Sequence, residues 1–110
     1  MNAEIEKHLS EIEALCRKYG VAMLELFGSA TGPRFDETTS DFDFVATFSN
    51  IDPESDYGGR YLDFCRSLES LLGRPVDVVT PASIKRPSFR MSVDSTRQLV
   101  YDARLRRAIA

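Results

Sequence analysis

Apolar side chains recur at Ile5, Leu9, Ile12, Leu15, Cys16 and Tyr19, with Glu and Lys between them. This helical spacing predicts a helix over residues 2–19, closed by Gly20 as its C-cap. The next seven residues, Val-Ala-Met-Leu-Glu-Leu-Phe at 21–27, are nearly all apolar and bounded by glycines. They predict a short strand covered on both faces. Residues 28–40 carry two glycines, a proline and several polar turn formers, and predict a loop with room for a helical turn after Ser29. A second strand is expected over 41–48. There Asp41 and Asp43 alternate with Phe42 and Phe44, so the carboxylates share one face and the rings the other.

A polar stretch with Asn50, Asp52, Pro53, Asp56 and the Gly58-Gly59 pair predicts a loop over 49–59. From about Tyr57 to Leu72 the apolar positions Tyr57, Tyr61, Phe64, Cys65, Leu68, Leu71 and Leu72 again mark a helix, closed by Gly73. Residues 75–80, Pro-Val-Asp-Val-Val-Thr, predict a third strand with Asp77 in its middle. Pro87 suits the first position of a short helix reaching about Val93. Residues 98–101 predict a last short strand, and 102–110 a helical turn or a frayed end. No internal repeat or low-complexity tract interrupts this order, and 1–110 reads as a single domain.

The chain has 110 residues, 43% hydrophobic and 28% charged, an ordinary globular balance that argues against disorder. A formal net charge of -3 gives no general attraction to nucleic acid, whose binding rests on Lys and Arg. The first residues lack a signal-peptide pattern and no run approaches membrane-spanning length, so the expectation is a cytoplasmic protein with no membrane association. Cys16 and Cys65 lie on apolar-periodic stretches and read as buried thiols. His8 is the single histidine and reads as a surface residue rather than a metal ligand.

The candidate chemistry sits between residues 26 and 48. Two carboxylates on one strand face repel unless a cation, a shared proton or water compensates them. Mg2+ takes oxygen ligands and is commonly held by one or two carboxylates plus substrate phosphates. Gly28 lets backbone approach a ligand closely, and Ser29 adds a hydroxyl beside exposed N–H groups. Asp-x-Asp and Gly-Ser are each common as plain loop chemistry, so the weight lies in their pairing. If the Asp77 strand lies beside the Asp41 strand, a third carboxylate joins; read alone, Asp77 could equally face water.

Leu-Phe-Gly-Ser at 26–29, Ser-Asp-Phe-Asp-Phe at 40–44 and Gly-Arg-Pro-Val-Asp-Val-Val-Thr-Pro at 73–81 resemble, in order, the motifs of the minimal nucleotidyltransferases of the DNA polymerase β-like superfamily. The resemblance spans nearly the whole chain. It implies an α+β nucleotidyltransferase fold, a small mixed sheet of about four strands flanked by helices. It also implies transfer of a nucleotidyl group, AMP from ATP, with release of pyrophosphate. Carried over residue by residue, Gly28 and Ser29 hold the β- and γ-phosphates, and Asp41 and Asp43 ligate Mg2+. Asp77 is then the third carboxylate, serving a two-ion site or taking the acceptor's proton. Small prokaryotic relatives are often antitoxins encoded beside a HEPN-type partner, and some resemble protein adenylyltransferases that modify that partner's tyrosine.

One departure bears on activity. Many relatives carry arginines after Gly-Ser, whereas here the segment is Gly28-Ser29-Ala30-Thr31-Gly32. Arg34 is the nearest cation able to bind the nucleotide in their place, with Lys85, Arg86 and Arg90 as further candidates. Three functions follow as alternatives: a Mg2+-dependent transferase acting on a HEPN-type protein, a non-catalytic antitoxin that neutralises a partner by covering it, and a transferase with a small-molecule acceptor. The last ranks lowest, because such relatives are longer. Polymerisation is disfavoured by the acidic chain and the lack of a template-binding part. A homodimer through an edge strand or the Tyr57 helix stays open.

Overall fold

The computed structural model describes residues 1–33 and 41–105, together with the backbone of residues 107 and 108. The elements run α1 (Ala3–Lys7), α2 (Leu9–Tyr19), β1 (Val21–Phe27), β2 (Phe42–Phe48), α3 (Tyr57–Leu72), β3 (Val76–Val79), α4 (Pro87–Thr96), β4 (Gln98–Asp102) and β5 (Arg107–Ala108), with 3-10 turns between several of them. The strands form one mixed sheet in the order β3-β2-β1-β4-β5. Strand β1 is antiparallel to β2 and β4, whereas β2 and β3 are parallel, α3 supplying the crossover that a parallel pair needs.

Alternation along β2 sorts the two faces. Phe42, Phe44 and Ala46 are fully buried on one side with Leu24 and Leu26 of β1, beneath Ile12 and Cys16 of α2 and Phe64 and Leu68 of α3. Burying each phenylalanine is worth about 1.5–3 kcal/mol. The other face carries a smaller cluster, Phe27, Val45, Ile84 and Val93, in which α4 covers the sheet. Asp43 and Val45 share that second face with Phe27, so the helix-rich face is the foundation and the α4 face is where polar groups emerge.

The expected strands form. Four details differ from the sequence reading. The helix over 2–19 is broken at His8, whose backbone turns to φ -110° and ψ 15° and whose Nδ1 lies 2.9 Å from Glu11 Oε2. The apolar spacing continues across the junction because α1 still buries Ile5 in the main core, so periodicity alone does not reveal the break. Helix α4 runs three residues past Val93, and the tail adds a 3-10 turn and the two-residue β5 to the sheet edge. Cys16 is fully buried, its thiol pushed up to about 12 by desolvation, but Cys65 is only half-buried.

The connection from β2 to α3 is held by one cation. Arg60 donates from Nη1 to Tyr19 O at 2.8 Å and from Nε to Ser55 O at 3.1 Å, and also to the carbonyl of Asn50. Its guanidinium lies 5.8 Å from the centroid of the Phe48 ring. The carbonyls of the last residue of α2 and of two loop residues are thereby given a donor, and the start of α3 is fixed against the far end of β1 and β2.

Candidate active site

The site is assembled where β1 ends and β2 begins. Phe27 pairs with Asp43 across the antiparallel ladder, and Asp43 pairs with Asp77 across the parallel one. The last residue of β1, Asp43 and Asp77 therefore stand at one level of three adjacent strands. Asp41 lies one residue ahead of β2 and is exposed, Asp43 is partly buried, and Asp77 is exposed on the edge strand.

Crowding of like charge is felt at the middle carboxylate. Asp43 is pushed up from 3.8 to about 6, first by burial and then by the charges of Asp77 and Asp41. The two alternatives left open for Asp77 resolve together, since it faces water and also lies beside Asp43. Among the described residues no group of three or more His, Cys, Asp or Glu side chains is placed to hold a metal ion, so Asp41, Asp43 and Asp77 do not form one three-carboxylate cluster. The carboxylates are strung along the sheet rather than drawn into a closed cage. Such an open row of hard oxygen donors, with an energetic cost to its charge, fits Mg2+ that completes its shell with phosphate and water.

Gly28 is built against this row. It has φ +78°, and a Cβ added there would meet Asp43 Oδ2 at 2.9 Å. The left-handed backbone disfavours a side chain here, and a Cβ would require the Asp43 carboxylate to shift. Residues Gly28–Thr31 then coil into a 3-10 turn that carries Ser29. The turn is tied down on several sides: Gly28 N–H donates to Thr96 Oγ1 at 2.9 Å, Asn2 Nδ2 to Ala30 O at 3.3 Å, and Gln98 Nε2 to Thr31 O at 3.4 Å. Within it Thr31 Oγ1 donates to Gly28 O at 2.7 Å. A loop fastened this way loses little entropy on binding an anion.

Thr96, Asn2 and Gln98 escaped the sequence reading. Their partners lie 68, 28 and 67 residues away, and neither spacing nor residue type signals such pairings. Phe89 was missed for the same reason; its ring meets Phe27 edge-on at 5.9 Å. Arg34, the cation expected to bind nucleotide, lies outside the described residues.

Two grooves open on the edge of the site. One, of 490 Å³, runs from Tyr57, Gly58 and Tyr61 past Asp77 and Val79 to Thr80 and Ser83. The other, of 560 Å³, is lined by Ser83, Lys85, Arg86, Ser88 and Phe89. Ser83 lines both, so they lie side by side. No helix among the described residues is long and apolar enough to cross a membrane.

Comparison with known proteins points to one family. A family model described as nucleotidyltransferase domain matches residues 10–100. "Putative protein adenylyltransferase MJ1379" of Methanocaldococcus jannaschii is 35% identical over 106 residues, spanning 86% of this chain and 98% of its own. Among solved structures, one described as a "putative minimal nucleotidyltransferase" superposes with a TM-score of 0.65 at 22% identity, over 84% of this chain and 89% of the other. A Shewanella oneidensis complex of a tri-AMPylated HEPN toxin with its MNT antitoxin superposes with a TM-score of 0.61 at 17% identity, over 92% of this chain and 75% of the other. At those identities the structural matches speak for the fold.

Proposed function

We propose a function for this chain from one premise: it belongs to the nucleotidyltransferase domain family and has the α+β fold of the minimal nucleotidyltransferases. It transfers AMP from ATP to a hydroxyl on a HEPN-type partner protein. The observation that carries this reading is the placement of Gly28 against Asp43 with Asp77 at the same register. A phosphate loop and an acidic row are thereby set within reach of one small group.

The roles follow from position. The Ser29 hydroxyl and the N–H groups of the turn receive the β- and γ-phosphates, while Gly28 keeps the approach clear. Asp41 and Asp43, with Asp77 beside them, would hold Mg2+, which supplies charge neutralisation to the triphosphate. The acceptor oxygen attacks the α-phosphorus, the new P–O bond forms as the α–β P–O bond breaks, and pyrophosphate leaves. The acceptor's proton passes to Asp77, the exposed carboxylate at the open edge, or through it to water. The relatives support the choice of partner: one is named a protein adenylyltransferase, and one is an MNT antitoxin bound to an AMPylated HEPN toxin.

The test is transfer of label from α-labelled ATP to a HEPN-type partner in Mg2+, with wild type and with Asp41→Asn/Asp43→Asn. The double variant is expected to fold and to transfer nothing; label transfer by it would overturn the assignment. One observation favours the second reading, an antitoxin that acts by covering its partner. The segment Gly28–Gly32 carries no cation, and its Gly28 N–H is already committed to Thr96. In that case the double variant still neutralises the partner in a co-expression growth assay, and calorimetry finds no Mg2+-dependent ATP binding by the wild type.

A further inference from the structure

The two grooves raise the question of what Lys85 and Arg86 are for. Six of the eleven Lys and Arg side chains among the described residues are committed within the chain, Arg17, Arg74, Arg97 and Arg104 to carboxylates and Arg60 and Arg90 to carbonyls; of the other five, Lys85 and Arg86 share a groove. Lys85 and Arg86 are exposed, and neither pairs with a carboxylate among the described residues. The length of α4 lies between them and the Gly28 turn. Helix α4 joins the two regions, with Thr96 at its end bonded to Gly28 and Arg86 preceding its first residue. Ten helical residues separate those ends by about 15 Å.

In-line displacement puts the acceptor opposite the leaving group. With pyrophosphate leaving toward Gly28 and Ser29, the acceptor enters from the other side of the acidic row, where the Asp77 groove opens. That groove is lined by aromatic rings at Tyr57 and Tyr61, and at Gly58 an added Cβ would meet nothing within 4 Å. On the other side of Ser83 lies the groove that holds the two cations.

We propose that these two grooves together bind the acceptor as an extended acidic segment of the partner protein, Lys85 and Arg86 taking its carboxylates while the adjacent hydroxyl-bearing side chain lies over Tyr57 and Tyr61 beside Asp77. This rests on the transferase reading for its purpose, though not for its binding test. Charge complementarity selects the occupant. Two cations suit a pair of carboxylates, whereas nucleic-acid binding draws on many phosphate contacts that a chain of net charge -3 is poorly built to supply.

The experiment reads binding without turnover. Fluorescein-labelled decapeptides with one tyrosine flanked by glutamates, glutamines or lysines, and a single-stranded RNA decamer, are titrated by anisotropy with wild type and with Lys85→Glu/Arg86→Glu. ATP binding in Mg2+ is measured in parallel. The glutamate peptide is expected to bind wild type about tenfold more tightly than the glutamine peptide, and the charge-reversed variant is expected to prefer the lysine peptide. ATP affinity should be the same in both proteins. Equal affinity for the three peptides overturns the proposal, as does tighter binding of the RNA with loss on charge reversal. A fall in ATP affinity with peptide binding intact would reassign the cations to the nucleotide. If wild type binds no ATP yet still selects the acidic peptide, the transferase reading fails while the groove assignment stands. Both side chains are exposed, so the variant is expected to fold, and Lys85→Gln/Arg86→Gln gives a milder check.

Discussion

Replacing Asp43 by Asn should stabilise the protein at neutral pH. Asp43 is raised from 3.8 to about 6 because its charge is partly buried and faces the charges of Asp77 and Asp41. A carboxyl whose folded pKa is raised costs stability wherever it is ionised. Below about pH 4 the group is protonated in both folded and unfolded chains and costs nothing. Between about pH 4 and 6 the unfolded chain ionises first, and above 6 the full penalty is present. A shift of about two units corresponds to roughly 3 kcal/mol, reduced by solvent screening of this partly exposed group to about 1–2 kcal/mol. Asn keeps the shape and removes the charge. In EDTA, urea denaturation at pH 7.5 should show Asp43→Asn more stable by that amount, a rise in Tm of several degrees for a domain of this size. At pH 4 the two proteins should melt together. Equal or lower stability of the variant at pH 7.5, or an equal gain at pH 4, would refute the claim that charge crowding strains this site.

Gly28→Ala forces a Cβ to 2.9 Å from Asp43 Oδ2 on a left-handed backbone. It should cost about 1–2 kcal/mol in chemical denaturation and abolish Mg2+-dependent ATP binding measured by calorimetry. Thr96→Val leaves the Gly28 N–H without its acceptor and should weaken ATP binding severalfold at a stability cost of about 1–2 kcal/mol. Thr96→Ser should restore both, and equal behaviour of the Val and Ser variants would show that the hydroxyl is not what holds the turn. Arg60→Met removes the donors to the carbonyls of Tyr19, Ser55 and Asn50. It should lower stability by about 2–3 kcal/mol with little change in ATP affinity.

Much of the fold was legible along the chain because its signals are local. The alternation of Asp41, Phe42, Asp43 and Phe44 dictates which face is buried whatever the strand pairs with, and Phe42 and Phe44 are fully buried. Gly20 and Gly73 end α2 and α3 because helix termination is a property of a few consecutive residues. The break at His8 was not legible, because a helix pair that buries one continuous stripe has the same periodicity as a single helix. The tail strand β5 was missed because two residues give no pattern to read.

The sequence by itself determined the order of elements, the buried face of each strand and the presence of a glycine-serine turn beside an acidic strand. Those properties depend on neighbours one to four positions away. Tertiary structure alone decided that β3 lies parallel to β2 with Asp77 level with Asp43, which turns a solvent-facing side chain into part of a charge-strained row. It also decided that Thr96, 68 residues downstream, fastens the Gly28 turn, and that the Asp77 groove lies beside the one that holds Lys85 and Arg86. Such relations depend on distance through space between segments far apart in the chain. The pairing of β3 with β2 and the packing of α4 on the sheet bring them about.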